Sequence, residues 1–298
     1  MKIKSLIYKI LLSTYKVLPC KRLICHAIKR LKIPNEKFYR DLRFGGKFKV
    51  EFDDKEIFLY NHGGGLENEI FWNGLKNWEK DTIWLWMKLT KESNVILDIG
   101  ANTGVYSLLS KSINPASEIH AFEPSVHIYN KLVKNVAINE VGINTHDLAI
   151  SNFTGEQTFY DFKSKNPTSA SLSSEMMKNK SDIIEYKVNT TTLDNFILLK
   201  GIKKIDLIKV DIEMHEPEFI EGFKQITNLR PIIFIEILSD DVANQLNKLL
   251  KDTNMLFFEL NFNSLKRIPI LKKGKPYYWN FLVVPSEKLN SINLYVSN

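Results

Sequence analysis

Only two cysteines stand among the 298 residues, and no run of about 18 apolar residues occurs. Cys20 and Cys25 are too few for a four-ligand zinc site or a disulfide framework. Five positions apart on one helical stretch, they are poorly placed to bond each other, and they read as reduced packing residues of a cytoplasmic protein. The lack of a long apolar run excludes a membrane-spanning helix. A secretory leader fits badly too, because Lys9 interrupts the opening apolar stretch and no small-residue cleavage site follows. There is no G-x-x-x-x-G-K-[ST] phosphate loop and no G-x-S-x-G nucleophile elbow. His62-Gly63-Gly64-Gly65 therefore reads as a flexible loop rather than the oxyanion loop of an esterase.

At 44% hydrophobic and 25% charged, the chain has the balance of a globular protein. Its net charge of +7 hides an asymmetry. Residues 1–49 hold 14 Lys/Arg against 2 Asp/Glu, while the other 249 residues hold 27 against 32. The basic surplus belongs to one end, so the rest is not a nucleic-acid surface. In that end, Ile3, Leu6, Ile7, Ile10 and Leu11 recur at helical spacing between lysines, Pro19 breaks the pattern, and Leu23, Ile24, Ala27, Ile28 and Leu31 resume it. Residues 1–33 thus form two basic amphipathic patterns. Either they pack on the remainder with a solvated face, or they lie on an anionic membrane at its inner face, apolar side down.

Three regions follow: a basic helical segment over 1–46, a hairpin and aromatic-rich lead-in over 47–94, and an alternating domain over 95–298. The hairpin is KFKVEFDDKEIFLY, with Asp53-Asp54 at its turn. Beyond residue 95, strands are expected at 95–99, 118–123, 143–150, 205–212 and 231–237. Helices fall at 104–113, 125–139, 216–227 and 240–251, a β-rich insertion at 153–192, and two last strands in MLFFEL and YYWNFLVVP. Such alternation predicts an α/β doubly wound, Rossmann-like sheet, in which ligands bind beyond the carboxyl ends of the strands. Asp98, Glu123, Asp211 and Glu236 all fall at those ends.

The first strand runs into DIGANTG. Asp98-x-Gly100-x-Asn102-x-Gly104 is a tight turn whose glycines let backbone approach a ligand closely. It is not a dinucleotide fingerprint, because Asn102 replaces the middle glycine and an acid stands where pyrophosphate would be repelled. The acid suits a ligand with cationic groups and hydroxyls and no phosphate, such as S-adenosylmethionine (SAM). Glu123, about 20 residues on, is placed to accept ribose hydroxyls.

The stretches VILDIGANTGVYSLL, IHAFEPSVHIYNKLVKNVAIN, TTLDNF, IDLIKVDIEMHEPEFIEGF, RPIIFIEI and NFLVVP resemble the FkbM family of SAM-dependent methyltransferases over roughly residues 78–285. The resemblance implies a class I methyltransferase fold, with seven strands and the last antiparallel. It also implies methyl transfer to a hydroxyl, commonly on a sugar or polyketide. It assigns Asp98, Gly100, Asn102, Gly104 and Glu123 to the cofactor, with Asp147 near the adenine. A glycan acceptor in polysaccharide assembly is the leading expectation. A secondary metabolite, or a silent fold used for binding, is the alternative. One position departs from the family: Met214 stands where glycine usually follows K-x-D-x-E. Either the acceptor pocket differs or the position never required glycine's backbone freedom.

Proton removal from a hydroxyl needs a base, and Asp211, Glu213 and His215 are the candidates. Strand parity puts Glu213 on the face of Asp211, and an acidic neighbour would raise the basicity of His215. Lys209 is a candidate ion-pair partner of Asp211, and Glu216 reads as a cap of the next helix. A divalent metal on Asp211, Glu213 and Glu236 is the lesser alternative, since the spacing is no known metal signature. Trp72, Trp78, Trp84 and Trp86 crowd one segment. They read chiefly as packing, the alternative being a lid that brings Glu79 to the cofactor.

Overall fold

The computed structural model describes residues 12–31, 41–75, 78–162, 171–173, 183–275 and 279–297. The chain divides into two compact units, one within Met1–Trp78 and one built from Glu79–Lys163 and Ser169–Asn298.

In the first unit, residues 12–17 are helical and α1 (Lys21–Arg30) follows Pro19. The apolar positions Ile3 to Leu11 lie outside the described residues. Strands β1 (Gly45–Phe52) and β2 (Lys55–His62) form an antiparallel hairpin. Asp53 takes a left-handed φ of 46° at its turn, where a short polar side chain tolerates that conformation. α2 (Gly65–Asn73) follows. Its Phe71 meets Phe44 and Phe48 edge-on, and Trp72 donates its indole N–H to the Leu42 carbonyl. Cys25 is buried beside the Tyr15 hydroxyl, and Cys20 is exposed.

The second unit opens with α3 (Lys80–Thr90) and then alternates: β3 (Val95–Ile99), α4 (Val105–Ile113), β4 (Glu118–Phe122), α5 (Val126–Asn139), β5 (Asn144–His146). Strands β6 (Ala149–Ser151), β7 (Gly155–Phe162) and β8 (Ile183–Thr192) form a separate three-stranded sheet. Then come α6 (Leu193–Lys200), β9 (Leu207–Val210), α7 (Glu216–Glu221), α8 (Ile226–Leu229), β10 (Ile232–Glu236), α9 (Asp240–Leu250), β11 (Met255–Asn261), β12 (Ser264–Ile268) and β13 (Asn280–Pro285).

The main sheet runs β12-β11-β13-β10-β9-β3-β4-β5. The five strands from β10 to β5 are mutually parallel, and β13 enters antiparallel between β10 and β11. The fold is thus the α/β class I methyltransferase arrangement with the last strand antiparallel, but with eight strands in place of seven. The extra strand, β12, folds back on β11 through a turn in which Asn263 is left-handed (φ 62°).

The residues 143–150 do not make one strand. The chain breaks at Asp147-Leu148, because β5 pairs with β4 in the main sheet and β6 with β8 in the small one. The long helix expected over 216–227 likewise splits into α7 and α8.

Both sheet faces are covered. Leu97, Ile99, Ile208, Val210, Ile233 and Ile235 pack with Phe196 of α6, Phe219 of α7 and Leu246 of α9. On the opposite face Trp86 of α3 meets Phe234 at 5.3 Å and Tyr106 of α4 at 5.2 Å. A parallel sheet buried on both sides explains the near-continuous apolar strands. It also makes Trp86, fully buried with its indole N–H on the Ser110 hydroxyl, a packing residue. Trp84 is buried too, edge-on to Tyr295.

Candidate active site

The turn after β3 is a left-handed sequence, with Gly100 at φ 80°, Asn102 at 50° and Gly104 at 87°. Gly100 and Ala101 donate their N–H groups to the Phe122 carbonyl, at 3.0 and 2.8 Å, which ties the turn to the end of β4. Gly100 is obligatory for a second reason. A Cβ there would stand 1.9 Å from the Asp211 carbonyl oxygen. The glycine turn and the exit of β9 are therefore in direct contact, and Asp211 donates its N–H to the Ile99 carbonyl at 3.0 Å.

Asp98 is buried, and its Oδ2 accepts the Ser107 N–H at 3.0 Å and the Ser107 hydroxyl at 2.6 Å. Burial pushes its pKa up to about 6, against the pull of Ser107 and Lys209. Glu123, just beyond β4, accepts the Asn102 N–H on one oxygen (3.0 Å) and the Ser125 N–H on the other (2.9 Å). Burial pushes it to about 8 despite those bonds. A carboxylate oxygen has two lone pairs, so each oxygen of Glu123 retains acceptor capacity. Asp147 is exposed at the break between β5 and β6.

Lys209 links this turn to the next strand. It lies in register between Asp98 on β3 and Phe234 on β10. Only 1% of its side chain is exposed, and its ammonium donates to Asp211 Oδ2 at 3.0 Å. Burial opposes its charge, but Asp211, Glu79 and Glu236 outweigh that and hold it protonated. Tyr106 lies under the ammonium, 5.2 Å away, and donates its hydroxyl to Glu79 Oε2 at 2.6 Å. Burial raises the pKa of Glu79, opposed by Lys209. Burial also raises Glu236, with Asp211 adding to the rise. The structure therefore gathers Glu79, Asp98, Tyr106, Lys209, Asp211 and Glu236 into one network. Tyr106 was missed from the sequence, where its place in the first turn of α4 carries no motif.

Strand alternation ends at Val210, so parity does not carry to Glu213. Both Glu213 and Met214 are left-handed, at φ 55° and 73°. Met214 thus keeps the backbone that glycine would adopt, which removes the view that this position never required it. Its side chain packs on the main core, and the Ser171 hydroxyl donates to the Glu213 carbonyl at 2.5 Å. Glu216 is fully buried at the start of α7, accepts the Ile212 N–H at 3.2 Å and closes this turn. Burial pushes it to about 8. His215 is buried, with Nε2 2.9 Å from the Ser151 hydroxyl and Nδ1 3.5 Å from Glu218. Burial lowers its pKa to about 4, contrary to the expected rise in basicity. Among the described residues no three His, Cys, Asp or Glu side chains converge as a metal site, the Asp211, Glu213 and Glu236 set included.

The family model described as the methyltransferase FkbM domain matches residues 98–264, more than half of the chain. This chain belongs to the FkbM methyltransferase family. Methyltransferase sdnD of Sordaria araneosa is 28% identical over 153 residues, which cover 43% of this chain and 59% of that protein. Hexuronic acid methyltransferase AglP of Haloferax volcanii is 22% identical, covering 59% and 70%. The 2-O-methyltransferase NoeI of Sinorhizobium fredii is 26% identical, covering 50% and 65%. The chain spans about three fifths of the sdnD length. SAM is the cofactor of such methyltransferases, and the residues present fit it. The turn has room only for a glycine at 100, its flanking acids Asp98 and Glu123 would repel a phosphate and not a sulfonium, and Glu123 keeps lone pairs for hydroxyls.

Proposed function

We propose that this FkbM-family chain transfers a methyl group from SAM to a hydroxyl of a carbohydrate. The observation that carries the proposal is the packing of Gly100 on the backbone of Asp211, which fixes the cofactor turn to a residue whose carboxylate is partly exposed. Bound SAM would supply an electrophilic methyl carbon. Glu123 would hold its ribose, and Asp98, Gly100, Asn102, Gly104, Asp147 and Glu79 would line the rest of its site. Asp211 would act as the base that accepts the proton of the acceptor hydroxyl. Lys209 holds Asp211 by one oxygen and leaves the other for the acceptor. A placed base contributes about 10²–10⁴-fold, and orientation can supply roughly 7–11 kcal/mol. The buried, weakly basic ring of His215 and the backbone-turned Glu213 act by shaping the turn after Asp211.

A carbohydrate acceptor is supported by the names of two relatives, a hexuronic acid methyltransferase and a 2-O-methyltransferase. Incubation with labelled SAM and an array of glycans tests the proposal. Label transferred to a sugar hydroxyl supports it. Label confined to non-carbohydrate acceptors, or absent despite SAM binding, contradicts it.

Residues 1–33 are further proposed to rest on an anionic membrane, which would suit a lipid-linked acceptor. Among the described residues no helix is long and apolar enough to cross one. Val17, Leu23 and Leu31 are nonetheless exposed, as are Arg22 and Arg30, and each basic residue near an anionic surface adds about 1 kcal/mol. Sedimentation with anionic liposomes at low salt, lost on deleting residues 1–33, is the expected result.

A further inference from the structure

A cleft opens on the carboxyl edge of the main sheet, toward β11 and β13. It encloses about 180 Å³, far more than the roughly 10–15 Å³ that one water needs. Glu259, Asn261, Lys272, Lys273, Lys275 and Asn280 supply its polar lining. Its place follows from the topology. β13 is antiparallel to β10, so Asn280 at its start stands beside Glu236 at the end of β10. β11 is antiparallel to β13, which brings Glu259 to the same edge. The cleft therefore lies past β10, on the side of Asp211 away from Glu123 and the glycine turn.

The lysines are carried on a fixed strap. Leu271 exchanges two hydrogen bonds with the Asn247 side chain on α9, both 2.8 Å. Gly274 is buried and donates its N–H to the Ile237 carbonyl at 2.9 Å, one residue beyond Glu236. Lys272 is paired with Glu259. Lys273 and Lys275 have no acidic partner among the described residues. The Asn280 side-chain oxygen is buried without a hydrogen-bond partner, so the lining offers cationic donors and one unsatisfied amide. That combination fits a ligand with both a negative charge and hydroxyls.

We infer that this cleft is an acceptor subsite for an anionic group on the sugar, a carboxylate or a phosphate ester. Lys273 and Lys275 hold the charge, and Asn280 takes a neighbouring hydroxyl. This rests on the methyl-transfer proposal for its purpose, but its test does not. The intact chain is titrated at low salt with glucuronate, glucose 6-phosphate and glucose, and separately with SAM. At least one charged sugar should bind tenfold or more tighter than glucose, and the advantage should fall as salt rises. The double variant Lys273→Gln, Lys275→Gln should abolish that advantage and leave SAM affinity within twofold. Preference for glucuronate assigns a carboxylate, and preference for glucose 6-phosphate assigns a phosphate ester. Equal binding of all three sugars, or an advantage that survives in the double variant, overturns the inference. Loss of SAM binding alone, with the charge preference intact, overturns the methyl-transfer proposal and leaves the cleft as an anion site.

Discussion

The acids at the ends of β3 and β4 are held by backbone N–H groups and one serine hydroxyl, whereas the acid at the end of β9 is held by a buried lysine. Asp98 takes its donors from Ser107, and Glu123 from Asn102 and Ser125. Ser107 lies 9 residues beyond Asp98, and Asn102 and Ser125 lie 21 and 2 residues from Glu123, all within the two motifs at the ends of β3 and β4. Asp211 takes its partner from Lys209, whose charge is shared with Glu79 and Glu236 from distant parts of the chain. Local backbone donors make a rigid cradle of fixed shape, suited to an invariant cofactor. A charge network can hold a carboxylate ready for a proton while leaving it exposed, with 28% of the Asp211 side chain accessible against 1% for Lys209. The two halves should therefore fail in different ways.

The largest effect is expected in the lysine-held half. Asp211→Asn should lower kcat by more than about 100-fold, because a general base acts mainly in the transition state. Steady-state kinetics on a methylated acceptor would measure it, and a loss of only a few-fold would move the chemistry elsewhere. Gly100→Ala should instead damage the scaffold joining the two halves. Its Cβ would meet the Asp211 carbonyl at 1.9 Å in a left-handed conformation. Overpacking and backbone strain together suggest about 3 kcal/mol or more, a fall in Tm of roughly 6–12 °C by thermal melt.

A pH series probes both halves at once. Burial raises Glu123 and Glu216 to about 8 in the folded chain. The folded state then binds more protons than the unfolded one between about 4.5 and 8. The stability these groups confer is complete below the lower value and lost as pH rises through the upper. The Tm of the ligand-free protein should drop between pH 6 and pH 9, and the drop should shrink in Glu216→Gln. The smallest effect is expected for Met214→Gly, where relief of a left-handed methionine and loss of its packing on the core offset each other. Its Tm should stay within about 3 °C of the parent, a shift of roughly 1 kcal/mol.

The backbone-held half was the more legible in the sequence, and for a physical reason. The glycine turn, Asp98 and Glu123 sit in two contiguous motifs, and their donors Asn102, Ser107 and Ser125 belong to or adjoin those same motifs. The alternating pattern also conveyed the parallel core. β12 escaped notice because SLKRI is short and mostly polar, although Asn261 and Asn263 could have marked its turn. The division of 143–150 depended on pairing partners that no local pattern encodes. Parity misplaced Glu213 because alternation says nothing once the chain leaves the strand. The strap bearing Lys272, Lys273 and Lys275 looks like an ordinary solvated charge run, and only its bonds to Ile237 and Asn247 set it at the sheet edge.

The division of labour between the halves is tested most directly by titrating SAM into the parent protein, Glu123→Ala and Asp211→Asn, with Tm checked for each. Loss of two ribose hydrogen bonds worth about 0.5–1.5 kcal/mol each should weaken SAM about tenfold in Glu123→Ala. Asp211→Asn should bind SAM within about twofold of the parent. Unchanged affinity in a folded Glu123→Ala protein, or an equal loss in both variants, would contradict the account.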